Sequence, residues 1–159
     1  TSNRFNTNLS VIKSVIKSND NRSSLLLKRV FGILNGKIRN KKICFLGVTF
    51  KANTDDMRDS SCLSMIPTLV KKGAKINYFD PTGKKKEFKK IKNVNFSNDI
   101  KSAITKADLI IIHTEWNDFK SINFNKEVKN KNYKIFDMRN IYSSKKMKEQ
   151  NIKYFAIGS

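Results

Sequence analysis

Two patterns of apolar and polar positions divide this chain near Lys41. Before it, Leu9, Ile12 and Ile16, then Leu26, Val30 and Leu34, recur at the three- and four-residue intervals of one helix face. Ser18, Asn19, Asp20 and Asn21 interrupt that spacing with good N-cap types, which leaves open one helix or two. Gly32 and Gly36 weaken its end. Such a helix, lying outside a sheet, needs a partner surface for its apolar side.

After Lys41 the period changes to short apolar runs separated by helix-like stretches. The run KKICFLGV predicts a first strand, apolar and so buried on both faces. Asp59 or Ser60 is suited to cap the next helix, and Gly73 to end it just past Lys71 and Lys72. Pro67 inside that helix predicts a kink or a late start. Further strands are predicted at Lys75–Phe79, Val94–Phe96, Asp108–His113 and Tyr133–Asp137, with an edge strand at Ile152–Ile157. Asn98 or Asp99 caps a helix through Ile104, and Ser143 or Ser144 opens a last one. The run Lys84, Lys85, Lys86, Lys89, Lys90 and Lys92 reads as a solvated helix face. The alternation implies an α/β fold: a Rossmann-like three-layer domain with a mostly parallel sheet, preceded by a helical segment.

At 159 residues there is room for one domain with a core plus an accessory helix. No stretch approaches the roughly 20 apolar residues of a membrane span. The start, TSNRFNTNLS, lacks Met and the order of a signal peptide, so the chain is expected to be a piece of a longer polypeptide. A net charge of +20 raises the question of nucleic acid. However, 27 Lys against 6 Arg are scattered among many Asn, and recognition of bases and phosphates favours Arg forks. A/T-rich codons account for that bias at least as well, so neither a nucleic-acid nor a membrane partner is expected. Cys44 and Cys62 read as small buried hydrophobes in a reducing cytoplasm, not as a disulfide or a metal site.

The segment GVTFKANTDDMRDS, Gly47 to Ser60, carries the candidate chemistry. It links a buried strand to a helix, and in an open α/β sheet ligands bind where such loops leave the carboxyl ends of strands. Lys51, Asp55, Asp56 and Arg58 lie within it, and Arg139 follows the fifth strand. Both loops open on one edge, which lets Lys51, Arg58 and Arg139 converge on an anion: Lys as a point charge, Arg as a planar fork. Arg58 fits equally as a fastener of its own loop through Asp55, Asp56 or Asp59. Phe50 is suited to stack on a ring or cover a sugar, with core packing the alternative. No G-x-G-x-x-G or G-x-x-x-x-G-K-[ST] occurs, so side chains must do much of the anion binding. Glu115 is a candidate general base without a visible partner, and His113 reads first as a packed, hydrogen-bonded histidine. With no Ser-His-Asp order, Cys/His cluster or paired carboxylates, the residues describe a binding domain for a phosphorylated ligand, not a self-contained catalyst.

The same segment resembles the loop that opens the C-terminal, UDP-binding domain of UDP-glucose/GDP-mannose dehydrogenases, typically G-x-[AS]-F-K-x-x-T-D-D-x-R-x-S. The likeness continues through KKGAKINYFDP, ADLIIIHTEWNDF, FDMRNIY and the terminal YFAIGS, and so covers roughly Lys41 to Ser159. The TEW triplet with Phe119 resembles the UDP-glucose branch more than those handling UDP-N-acetylmannosamine or GDP-mannose. The resemblance implies residues 1–40 as the end of a central dimerisation helix and 41–159 as the sugar-nucleotide domain. It also implies an NAD-binding N-terminal domain with a catalytic Cys, a homodimer, and oxidation of a sugar C6 alcohol to a carboxylate in two hydride transfers. By the same resemblance Phe50, Lys51 and Arg139 contact the sugar nucleotide and Arg58 reaches towards NAD. The G-G-x-C-F-P-K-D nucleophile motif is absent, so this chain alone is expected to be inactive. Met138 stands where the family often has Gly, beside Arg139. Dehydrogenases of other nucleotide sugars, a non-catalytic nucleotide-sugar module and a basic RNA-binding domain are the alternatives.

Overall fold

A computed structural model describes residues 21–158. The expected helical positions Leu9, Ile12 and Ile16, and the interruption at Ser18 to Asp20, lie outside the described residues. Six strands, β1 (Lys42–Leu46), β2 (Lys75–Phe79), β3 (Val94–Phe96), β4 (Leu109–Ile112), β5 (Lys134–Asp137) and β6 (Lys153–Ala156), form one sheet. Its order is β3-β2-β1-β4-β5-β6 and every pairing is parallel. The order reverses between β1 and β4, which opens a crevice at their carboxyl ends.

The apolar run of β1 is explained by its central position. Ile43 and Phe45 point into one layer with Met65, Leu69 and Val30, while Cys44 and Leu46 point into the other with Ile104, Phe119 and Phe124. Strand geometry sends successive side chains to opposite faces, so a strand covered on both sides has no polar position. Each such Leu, Ile or Phe contributes about 1.5–3 kcal/mol by leaving water.

The first layer holds α1 (21–33) and α2 (Cys62–Lys71); the second holds α3 (Ile100–Ile104), α4 (Phe124–Glu127) and α5 (Ser144–Glu149). Crossovers from β3 through β6 run in one direction and place their helices on one side. That leaves the first face of β4 and β5 without a crossover helix, and α1 covers it. Leu26, Val30 and Ile33 share a core cluster with Ile111 and Phe136. Lys134 Nζ donates to the Ile33 carbonyl across 2.8 Å, and the Arg29 guanidinium lies 5.6 Å from the centre of the Phe136 ring. The partner surface that α1 demands is the sheet itself.

Two expectations are corrected. Asp59 is not the cap of α2: it takes a positive φ of 62°, the N-cap position is Ser61, and Ser60 Oγ accepts from Cys62 N across 3.2 Å. The late start leaves Pro67 in the second turn of α2, where it lacks the N–H that would bond the Leu63 carbonyl. The lysine run is not a helix face either. Only a single 3₁₀ turn forms, over Lys86–Phe88. Lys85 and Phe88, which eclipse at three-residue spacing, both turn inward. Phe88 meets Tyr78 edge-on with ring centres 5.4 Å apart, and Lys85 Nζ sits 4.0 Å from Asp80 Oδ1 while donating to the Thr82 hydroxyl. Both cysteines are free and buried, and burial pushes both thiols up.

Candidate functional site

The sheet register brings three loops to one height. Leu46 pairs with Ile112, and Ile112 with Asp137, so Gly47, His113 and Met138 begin their loops side by side. His113 N donates to the Leu46 carbonyl and Met138 N to the Ile112 carbonyl, both across 3.0 Å. Gly47 has φ +77°, and a Cβ there would lie 2.5 Å from Thr114 Cβ. Only glycine permits both the left-handed turn and that approach.

The loop after β1 is held by its own polar side chains. Phe50 N donates to the Asp56 carbonyl across 3.0 Å, closing a ring around Lys51. Ser60 Oγ donates to the Val48 carbonyl across 2.5 Å, and Val48 N donates to Asp80 Oδ2 across 2.9 Å. Arg58 fastens its own loop: Nε donates to Asp56 Oδ1 and one terminal nitrogen to Oδ2, each across 3.1 Å. Those bonds hold the Asp56 carboxyl below the usual range. The Arg58 side chain is 89% exposed, which keeps its other terminal nitrogen open to solvent.

Arg139 does the bridging. Buried Asp137 anchors its turn by accepting from Arg139 N at 3.0 Å on one oxygen and from Tyr142 N at 3.1 Å on the other. From there Arg139 Nε donates to the His113 carbonyl across 2.8 Å, and a terminal nitrogen to the Phe50 carbonyl across 3.2 Å. One guanidinium therefore ties β5 to the loops after β4 and β1. Its remaining N–H groups make no hydrogen bond among the described residues. Burial, with the Arg22 charge, pulls its pKa down, and the opposite charge of a bound anion would offset that pull.

A cavity of about 340 Å³ lies over this edge, lined by Phe50, Asp59, Ser61, His113 and Arg139 among others, with Arg22 and Ser23 of α1 closing one side. Phe50 is 44% exposed, which excludes core packing and leaves its ring free for a ligand. Phe50 and Arg139 are thus brought together. Lys51 is exposed next to them but does not line the cavity, and Arg58 stands apart from it. Glu115 is exposed, near enough to Arg139 to act on its charge. Sequence reasoning missed Ser61, Arg22 and Ser23. Ser61 Oγ lies 2.8 Å from His113 Nε2, a pairing across 52 residues that no local pattern announces. His113 itself is buried, and burial with the charges of Arg139 and Arg22 pushes its pKa down to about 3. Among the described residues no group of His, Cys, Asp and Glu could hold a metal ion, and no helix is long and apolar enough to cross a membrane.

A crevice at the strand-order reversal, with an arginine fork and an exposed ring at its mouth, is the setting in which family comparisons become informative. Residues 44–144 match the UDP binding domain of the UDP-glucose/GDP-mannose dehydrogenase family. The chain belongs to that family. It is 33% identical to a UDP-glucose 6-dehydrogenase of Rhizobium meliloti (strain 1021) over 159 residues, covering 99% of this chain and 36% of that protein. It is 37% identical to the UDP-glucose 6-dehydrogenase of Rickettsia prowazekii (strain Madrid E) over 153 residues, covering 94% and 35%. The chain thus spans about a third of the length of the curated relatives it matches. Among solved structures, a UDP-glucose dehydrogenase from Pyrobaculum islandicum superposes with a TM-score of 0.67 at 24% identity, covering 90% of this chain and 31% of that one. That likeness bears on the fold. A UDP-D-ManNAc dehydrogenase from Pyrococcus horikoshii gives 0.62 at 25% identity, covering 86% and 30%. The matched span contains Phe50, Lys51, Arg58 and Arg139.

Proposed function

We propose that this chain is the sugar-nucleotide-binding portion of an NAD-dependent UDP-glucose 6-dehydrogenase, with the UDP moiety held at the carboxyl edge between the loops after β1 and β5. The observation that carries this reading is the Arg139 bridge to the Phe50 carbonyl, which joins two separated loops beside Lys51. Arg139 offers its unused N–H groups to the diphosphate, exposed Lys51 adds a point charge, and the Phe50 ring covers a sugar or base. UDP-glucose as the substrate follows the names of the relatives.

NAD, when bound, supplies a hydride acceptor for oxidation of the sugar alcohol. This chain fits it only as a contributor. It has no glycine-rich cradle, and Arg58 offers a single open nitrogen on an exposed loop. The reading assigns Arg58 to the cofactor and the reacting groups to the rest of the polypeptide.

Calorimetric titration with UDP-glucose tests the proposal. Binding is expected, weakened at least about tenfold by Arg139→Lys, which keeps the charge but not the fork. Lys51→Ala is expected to weaken it less, and Arg58→Ala to leave UDP-glucose unaffected while weakening NAD in the enzyme that carries the upstream sequence. A wild-type chain indifferent to UDP-glucose at millimolar concentration overturns the proposal.

A further inference from the structure

The direction of the hydrogen bonds behind the cavity can be worked out from one carbonyl. Thr114 Oγ1 lies 3.0 Å from the Thr49 carbonyl, which only accepts, so the single Thr114 hydroxyl proton is committed there. Thr114 Oγ1 also lies 3.0 Å from His113 Nδ1. With its proton used, the hydroxyl accepts, and Nδ1 must carry the ring proton. The ring is neutral, because burial and two neighbouring arginines oppose a second proton. Nε2 is therefore a bare lone pair, and Ser61 Oγ, 2.8 Å away, donates to it. A chain of four groups is fixed end to end: Ser61 to His113 to Thr114 to Thr49.

The consequence falls on the cavity wall. Ser61 lines the cavity with its only proton turned away, so it shows the ligand lone pairs alone. Across the same space Arg139 and Arg22 present donors. A phosphate oxygen suits the arginines and is repelled by Ser61; an O–H suits Ser61. We propose that Ser61 is a specificity-determining residue that accepts a hydrogen bond from a sugar hydroxyl of the bound nucleotide, with His113 and Thr114 as positioning residues that hold it in the acceptor state. The inference rests on the function proposed above. The hydroxyl belongs to UDP-glucose or to a ribose of NAD, and the chemistry at Ser61 is the same for both.

Because His113 is the chain's only histidine, its ring nitrogens can be read directly by ¹⁵N NMR of the histidine-labelled protein. A protonated Nδ1 and an unprotonated Nε2, the tautomer less favoured in water, is expected; a protonated Nε2 overturns the relay. The ligand side is read by titrating analogues of UDP-glucose lacking one ribose or hexose hydroxyl at a time. Deoxyribose analogues of NAD are titrated in parallel into the enzyme carrying the upstream sequence. One analogue is expected to bind the wild type about three- to tenfold more weakly than its parent, as loss of one neutral hydrogen bond predicts, and to show no such difference on Ser61→Ala. Ser61→Thr, which keeps the hydroxyl, should restore the discrimination. The series in which the difference appears identifies the source of the hydroxyl. If UDP-glucose binds but every analogue loses equally on wild type and Ser61→Ala, the Ser61 role is overturned and the function stands. If UDP-glucose does not bind, both fall.

Discussion

Arg139 Nε donates to the main-chain carbonyl of His113 across 2.8 Å, so the side chain of one loop is braced by the backbone of the next. The guanidinium goes on to the Phe50 carbonyl, so one side chain ties together the three loops of the crevice. A lysine at this position reaches as far but cannot supply two N–H groups in a fixed fork. Arg139→Lys is therefore expected to lower stability by about 1–2 kcal/mol, read as a shifted urea midpoint with an unchanged slope. A midpoint identical to wild type would show that the brace is not structural.

Gly47 sits where β1 turns into the crevice, with φ +77° and Thr114 against its α-carbon. Gly47→Ala combines a left-handed alanine with overpacking against a buried threonine. The expected loss is roughly 2–4 kcal/mol. Since Thr114 is the residue displaced, the ¹⁵N signals of His113 should also change in this variant.

The pH dependence of stability isolates His113. Its folded pKa, about 3, lies below its ordinary 6.5. Below pH 6.5 the unfolded chain takes up a proton that the folded chain refuses, so stability is full above that pH and falls as acid is added, down towards pH 3. From pH 6.5 to about 4.5 the loss should be roughly 2 kcal/mol. Carboxylates held low, such as Asp56 and Asp99, contribute their own loss at more acid pH. His113→Gln should flatten the curve between about pH 4.5 and 6.5 whatever its absolute stability; an unchanged slope contradicts the assignment.

Lys85 and Lys86 are neighbours in sequence with opposite fates. Lys85 is buried against Asp80, whose carboxylate also holds Val48 N and Thr82 N at 2.9 Å each; Lys86 is exposed. Lys85→Ala is expected to cost about 3 kcal/mol by leaving a buried carboxylate without its counter-charge, and Lys86→Ala less than about 0.5 kcal/mol. Equal midpoints for the two variants would show that the pair contributes nothing.

Local rules served the strands well because burial on both faces leaves an unbroken apolar run, and each of the six predicted strands contains the observed one. They served the caps at Asp99 and Ser143, whose side chains accept from Ser102 N and Lys146 N. They failed in the lysine run, where six like residues are indistinguishable until a neighbouring strand supplies Asp80 and Tyr78 to draw one of them inward. In the site, Phe50 and Arg139 were legible as residue types at loop positions. Ser61 was not, since its partner is brought to it only by the β1–β4 pairing.

What the sequence by itself determined is the alternation of strand and helix, the all-apolar centre of the sheet, and a loop dense in charge after the first strand. These are properties of neighbours within a few residues, set by side-chain period and turn chemistry. Only the tertiary structure decided which charges meet. Arg58 was drawn back to Asp56, two residues away, while Arg139 reached across 89 residues to Phe50. The register of parallel strands brings such distant groups together, and it is fixed by the whole core.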